Sequence, residues 1–424
     1  MSSTITSGQR FVLASVCAVA VSTIYAIQPV LEAAGSDLGL AGSTLGWLVA
    51  VGQLGYFAGL VLLVPLGDVL NRRTLIVGHL MLTGAGATIT SLAPSGVVAG
   101  VGLAVAGLFA VVVQITVAYV AATSPEGERG RNIGTVTSGV VLGILAVRVL
   151  AGVLGESVGW RAVYAVLAVL CIALALVAQV ALYSDARPAR ARYRDALATA
   201  GRLVVTDRLF LSRGLIAFFL FASFGTLWSG LALPLGAAPW HFGTTAVGLF
   251  GLAGLVGAVA ASRAGAWADA GRARAVTGWS LALLAASWAL TTRTTPTLWL
   301  LITGVVLLDF AVQAVHVSNQ HLLTAAHPER SSSVIGAYMA FYSLGSALGA
   351  TTTTWAYTAA GWWASCLLGA AYAVAALAVW TLARRATASL LVDPVPEPPS
   401  PSPPPPPPAS ASASASASAS QKLA

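Results

Sequence analysis

Charge is what this sequence has least of. Charged residues make up 8% of its 424 positions, against roughly 25% in a soluble domain, and the mean hydropathy is +0.83. A soluble globular fold is excluded, because most of this chain must meet lipid. Lysine is nearly missing: Lys422 stands against 21 arginines, a bias that accompanies GC-rich, bacterial coding sequence. Cys17, Cys171 and Cys366 each fall inside an apolar run with no paired ligand spacing, so they read as small packing residues and not as a disulfide framework or metal site. No G-x-x-x-x-G-K-[ST] loop is present, so any use of ATP would require a separate subunit. There is no H-E-x-x-H or G-x-S-x-G pattern, and the five histidines are scattered, so an enzyme or a metal centre is not expected. The first apolar run is too long for a signal-peptide core and has no small-residue cleavage site, so it should persist as a span.

What is present is a series of apolar runs. A bilayer span needs about 20 mostly apolar residues. Twelve such runs are expected, over 11–31, 44–66, 74–93, 97–122, 132–154, 160–183, 214–235, 244–267, 274–292, 297–323, 333–357 and 363–383. With the N-terminus inside, 19 of the 22 Lys+Arg fall on inside segments; only Arg161 and Arg293 are outside, and Arg148 lies within a span. This bias follows the positive-inside rule and predicts a multi-pass protein of the bacterial inner membrane with both termini cytoplasmic. The net charge of +8 is thereby accounted for, and nothing is left for nucleic acid to explain.

The runs are duplicated. Leu66-Gly67-Asp68-Val69-Leu70-Asn71-Arg72-Arg73 is echoed 201 residues later by Trp267-Ala268-Asp269-Ala270-Gly271-Arg272-Ala273-Arg274. Ile133-Gly134, Gly143 and Gly159-Trp160 recur at a spacing of 202 as Ile335-Gly336, Gly345 and Gly361-Trp362. Internal repeats in a membrane chain point to a transporter. The expected organisation is an all-α protein of twelve transmembrane helices in two pseudo-symmetric six-helix bundles, residues 1–183 and 214–383. Residues 184–213, with seven arginines, form a basic linker that is either an amphipathic helix on the membrane face or a flexible hinge. Residues 384–424, Pro-rich and then alternating Ala and Ser, cannot form a core and are expected to be a disordered tail.

At this point the residues resemble the major facilitator superfamily. Its loop signature between spans 2 and 3, approximately G-x-L-A-D-R-x-G-R-[RK], is matched by Leu66, Asp68, Arg72 and Arg73, with Val64, Val69 and Asn71 departing from it; the second copy keeps Asp269, Gly271, Arg272 and Arg274. An acid beside bases on a short loop can cap a neighbouring helix and pair across bundles. The resemblance implies that these residues are a conformational gate. Ile27-Gln28-Pro29, Val64-Pro65-Leu66-Gly67-Asp68, Gly159-Trp160-Arg161 and His316-Val317-Ser318-Asn319-Gln320 look like a bacterial efflux-type subgroup holding sugar and drug exporters. The span-5 drug-antiporter signature is half present: Gly139 and Gly143 stand without its proline, and Arg148 follows.

Only Arg148 and Asp309 are expected well inside spans, where each costs about 2.5–3.5 kcal/mol on insertion scales. Their depths nearly match, so an Arg148–Asp309 contact across a central cavity is expected. Gln313, His316 and Gln320 follow Asp309 at helical spacing, giving span 10 a polar stripe. In the resembled family spans 1, 4, 7 and 10 line the cavity, which would turn this stripe to substrate. An aspartate with a histidine one to two turns away is also suited to carrying a proton. Facing candidates are Tyr25 and Gln28 in span 1, Gln114 and Tyr119 in span 4, and Trp228 in span 7, whose indole N–H needs a partner. The functional expectation is a monomeric, proton-coupled exporter of a small organic molecule working by alternating access, needing the proton gradient and no cofactor. Its alternative is an importer in which Arg148 binds an anion.

Overall fold

The computed structural model describes residues 5–125, 128–184, 193, 198, 201–202, 205–260, 273–292, 298–327 and 331–390. The chain divides into a unit of residues 1–383 and a second of residues 384–424. The larger unit carries the described helices, apart from the last seven residues of the final one. Its first half holds α1 (Ser7–Tyr25), α2 (Leu31–Asp37), α3 (Gly46–Leu62), α4 (Arg72–Ser91), α5 (Gly96–Phe109), α6 (Val112–Thr123), α7 (Arg129–Ser157) and α8 (Trp160–Ala181). The second holds α9 (Arg208–Gly230), α10 (Ala232–Gly236), α11 (Thr244–Ala260), α12 (Ala273–Thr291), α13 (Leu298–Ala326) and α14 (Ser331–Ala360), and ends in α15 (Trp362–Leu390). Among the described residues, ten helical stretches are long and apolar enough to cross a bilayer, with α5 and α6, and α9 and α10, counted together. Two shorter apolar helices, Thr244–Gly257 and Ala275–Thr291, stand where the eighth and ninth runs are expected.

Helix ends depart from the expected runs for local reasons. Pro29 lacks the N–H that would bond the Tyr25 carbonyl, and Pro234 lacks the one for Gly230; α1 and α9 stop at those two residues. Each is followed by a short helix: α10 falls largely inside the seventh expected run, whereas α2 begins where the first run ends. The fourth run, expected whole, is divided at Ala110, whose N–H is shared by the Ala106 and Gly107 carbonyls. Within the expected linker, Asp207 accepts from Phe210 N and caps α9, which takes in the linker's last six residues and draws Arg213 inside, 6% exposed.

The repeat seen in the sequence is also a repeat of contacts. Gly143 on α7 faces the Ala18 carbonyl of α1, and Gly345 on α14 faces the Phe218 carbonyl of α9; neither crossing has room for a Cβ. Gly159 and Gly361 both hold positive φ, 102° and 78°, a conformation that favours glycine. The tryptophan after each is anchored through its indole N–H, Trp160 to Asp37 Oδ2 at 3.0 Å and Trp362 to the Thr291 carbonyl at 2.8 Å.

The arginines sort the two ends of the bundle. Arg10, Arg72, Arg73, Arg129 and Arg131 lie at one end. At the opposite, arginine-poor end, the halves close on each other twice. Gly46 of α3 meets the Ala350 carbonyl of α14, and Gly248 of α11 meets the Arg148 carbonyl of α7. Gly46 and Gly248 are 202 residues apart, as are Arg148 and Ala350, so the two crossings are one contact made by both repeats. Thr354 Oγ1 accepts from Gly46 N at 3.2 Å, Thr244 Oγ1 donates to the Gly152 carbonyl at 2.9 Å, and Glu156 Oε2 accepts from Thr245 N at 2.8 Å, which seals this end with hydrogen bonds between halves.

Candidate functional site

Three charged side chains are buried among the described residues: Arg148, Arg213 and Asp309. Arg148 comes from α7 and is 1% exposed; Asp309 comes from α13 and is 4% exposed. The contact expected between them is indirect, since they are not within ion-pair distance of each other. Trp228 of α9 stands between. The Arg148 guanidinium carbon lies 3.6 Å from the indole ring centre, and the indole N–H donates to Asp309 Oδ1 at 3.1 Å. One ring thus takes a cation on its face and an anion at its edge. An indole quadrupole favours both placements.

Tyr25 and Phe224 close round the same guanidinium at 5.8 and 5.6 Å from their ring centres, and Arg148 Nη2 donates to Gln28 Oε1 at 3.3 Å. The Arg148 Nε and Gln28 Nε2 donors have no hydrogen-bond partner in the protein. Gln28, Pro29, Arg148, Trp228, Leu231 and Val247 line a small pocket at this point, fed by α7, α9, α11 and the turn that Pro29 forces after α1. Gln53 of α3 sits beside the Tyr25 hydroxyl without completing a hydrogen bond from its Nε2. Its backbone carbonyl accepts from Ser343 Oγ of α14 at 2.5 Å, a further tie between the halves.

Asp309 is held from its other side by glycine. Gly254 and Gly257 of α11 leave no room for a Cβ against the Asp309 side chain, and Gly251 abuts Arg148 Cβ. Sequence reasoning missed this track, although Gly248, Gly251, Gly254 and Gly257 recur every third residue. In the first half the equivalent of Gly254 is Gly52 and that of Asp309 is Gly107, and those two glycines meet directly. Asp309 therefore occupies a helix crossing that its repeat partner fills with no side chain at all.

The rest of the expected stripe forms a separate network nearer the arginine-rich end. His316 Nδ1 lies 3.1 Å from the Tyr338 hydroxyl and His316 Nε2 lies 3.0 Å from Gln320 Nε2, while Phe221 and Tyr342 pack against the imidazole. Gln320 can only donate to that nitrogen, so Nε2 accepts and the proton of the neutral ring is on Nδ1. Arg213 Nη1 donates to Asn319 Oδ1 at 3.4 Å in the same region. Asp309 and His316 thus belong to different networks, and Gln313, half-buried, lies between them on α13. Tyr338, unremarked in the sequence, completes the second network. Gln114, the repeat counterpart of His316 at 202 residues, is likewise bound to a tyrosine, accepting from Tyr56 Oη at 3.2 Å with its Nε2 2.9 Å from the same oxygen. Tyr119 Oη donates to the Tyr183 carbonyl at 3.1 Å.

Of the expected gate, Arg73 donates to the Gln179 carbonyl and Asn71 Nδ2 to Ser184 Oγ at 2.6 Å, both within the first half. Val64 just before them comes near Gly336 of α14. Asp68 is placed by its backbone in the 3-10 turn Val64–Asp68, and Arg72 begins α4. Arg274 is placed by its backbone in α12, and Asp269 and Arg272 lie outside the described residues.

Comparison with known proteins agrees over nearly the full length. A family model for the Major Facilitator Superfamily matches residues 11–269 and 230–420. The transporter YgaY of Escherichia coli O157:H7 is 36% identical over 361 residues, 85% of this chain and 92% of its own. A protein of Streptomyces coelicolor named as a probable transporter is 33% identical over 368 residues, 84% of this chain and 83% of its own. Among solved structures, a bacterial homolog of the human lysosomal transporter Spinster, in an inward-facing and occupied conformation, superposes with a TM-score of 0.74 at 16% identity, covering 89% of this chain and 97% of that one.

Proposed function

Because the chain belongs to the Major Facilitator Superfamily, we propose that it is a proton-coupled exporter of a small organic molecule, working by alternating access with Asp309 as the proton carrier. The single observation that carries this reading is the Arg148–Trp228–Asp309 relay, in which α7 of the first half meets α9 and α13 of the second. Asp309 is the only buried carboxylate among the described side chains. Its contact is a neutral N–H and its counter-charge lies across an indole, so taking up a proton removes the attraction that draws Arg148 towards the second half. Losing that proton restores it. A protonation event is thereby linked to how firmly the halves hold together, the coupling that a rocking transporter requires.

The sealed arginine-poor end supports the cycle: the crossings at Gly46 and Gly248 are the contacts that must part for substrate to leave on that side. The positive-inside bias makes the arginine-rich end cytoplasmic, which puts exit on the far side of the inner membrane. The resemblance to efflux-type proteins favours export over import. The protein acts as a monomer in the lipid bilayer, because both halves of the pathway come from one chain.

The test is transport in vesicles of known orientation under an imposed pH gradient, with a panel of labelled sugars, aromatic compounds and organic acids. Accumulation in inverted, acid-inside vesicles that collapses on adding a protonophore is expected. Accumulation in right-side-out vesicles under the opposite gradient would instead establish import, and accumulation indifferent to the gradient would remove proton coupling.

A further inference from the structure

The central pocket is rich in donors that nothing satisfies. Arg148 contributes Nε and Gln28 contributes Nε2, each on a residue no more than 2% exposed. The amide of Gln28 cannot be turned to hide its donors, because its oxygen already accepts from Arg148 Nη2. The indole of Trp228 covers one face of the guanidinium, so the planar edge that carries Nε is what remains for a ligand. Pro29, Leu231 and Val247 supply apolar wall. Unsatisfied buried donors select for acceptors, because a ligand without them leaves those groups desolvated and unpaired.

Charge narrows the class further. Arg148 lies on the face and Asp309 at the N–H edge of one indole; the two interact electrostatically and sum to zero. A carboxylate entering this site would leave one negative charge uncompensated, and an ammonium would leave one positive charge beside Arg148; either is costly among side chains this deeply buried. A neutral carbonyl oxygen meets the free donors without disturbing the balance.

Resting on the transporter reading above, we propose that the Arg148–Gln28–Trp228 pocket, about 10 Å³ in this conformation and widened when the halves rock apart, binds electrically neutral organic molecules that present a carbonyl-type acceptor beside a flat apolar body, and discriminates against carboxylates and amines of the same shape. The charge pair, more than the arginine alone, sets this preference. Removing Asp309's charge should turn the site into one for anions.

The experiment is equilibrium binding to the purified full-length protein in detergent, using the matched amide, carboxylate and amine of two bodies, phenyl and naphthyl. The parent is expected to bind the amides at least about tenfold more tightly than either charged partner. In Asp309→Asn the carboxylates should overtake the amides, and in the balanced double variant Arg148→Gln/Asp309→Asn amide affinity should fall by about tenfold with no carboxylate preference. Should the single variant not fold, the double variant, which buries no charge, still decides whether Arg148 supplies the acceptor contact. Carboxylate binding by the parent equal to that of the amides, no binding by any of the six probes at millimolar concentration, or unchanged amide affinity in the double variant would each overturn the proposal. Because binding in detergent requires no proton gradient, amide-selective binding without gradient-driven transport removes the coupling reading alone. Gradient-driven transport with carboxylate-selective binding removes this one alone.

Discussion

A single indole carries much of the site. Trp228 serves Arg148 with its face and Asp309 with its N–H, and the two duties can be separated. Trp228→Phe keeps a ring beneath the guanidinium and removes the donor, leaving a buried carboxylate oxygen short of a hydrogen bond. The expected loss is about 1–3 kcal/mol of stability, read by thermal unfolding in detergent, together with slower transport. Trp228→Ala should cost more on both counts. Gly254→Ala would set a methyl against Asp309 Oδ2 and is expected to abolish transport, whereas Gly134→Ala, where a Cβ meets nothing within 4 Å, should be silent in the same assay. At this scale the sequence was most informative about charge: Arg148 and Asp309 are conspicuous because a charge in an apolar run demands compensation. What lay beyond reach was the form of that compensation. An aromatic ring between two charges leaves no spacing signature, and Arg213 looked like part of a basic linker until Asp207 capped the helix that buries it.

Helices meet here through glycine, and they do so twice over in the same register. The crossings at Gly46 with Ala350 and at Gly248 with Arg148 close the arginine-poor end by backbone contact, which any side chain larger than hydrogen would prevent. Gly46→Leu and Gly248→Leu are each expected to hold that end apart. A cysteine placed at Thr354, against the background of three buried native cysteines, should then react several-fold faster with a membrane-impermeant maleimide than it does with either glycine intact. Equal labelling would mean that these crossings do not form the seal. The spans themselves were legible from hydropathy because lipid imposes a length. Their ends were less so: Pro29 and Pro234 stop α1 and α9 inside runs that remain apolar, and apolarity does not register a missing N–H.

Across the whole molecule, duplication supplies a frame and the function lies in its exceptions. The repeat of 202 residues reproduces the glycine crossings and the Gly-Trp helix starts in both halves. Where it fails, Arg148 replaces the counterpart of Ala350 and Asp309 the counterpart of Gly107. These breaks put opposite charges on opposite halves at the centre. The sequence displayed the symmetry, but reading the breaks required knowing which repeat positions touch. The most direct test of the account is substrate-dependent proton movement in reconstituted vesicles, comparing the parent with Asp309→Asn. The account predicts proton flux with the parent and none with the variant, while substrate exchange in the absence of a gradient persists. Proton movement undiminished in Asp309→Asn would contradict it.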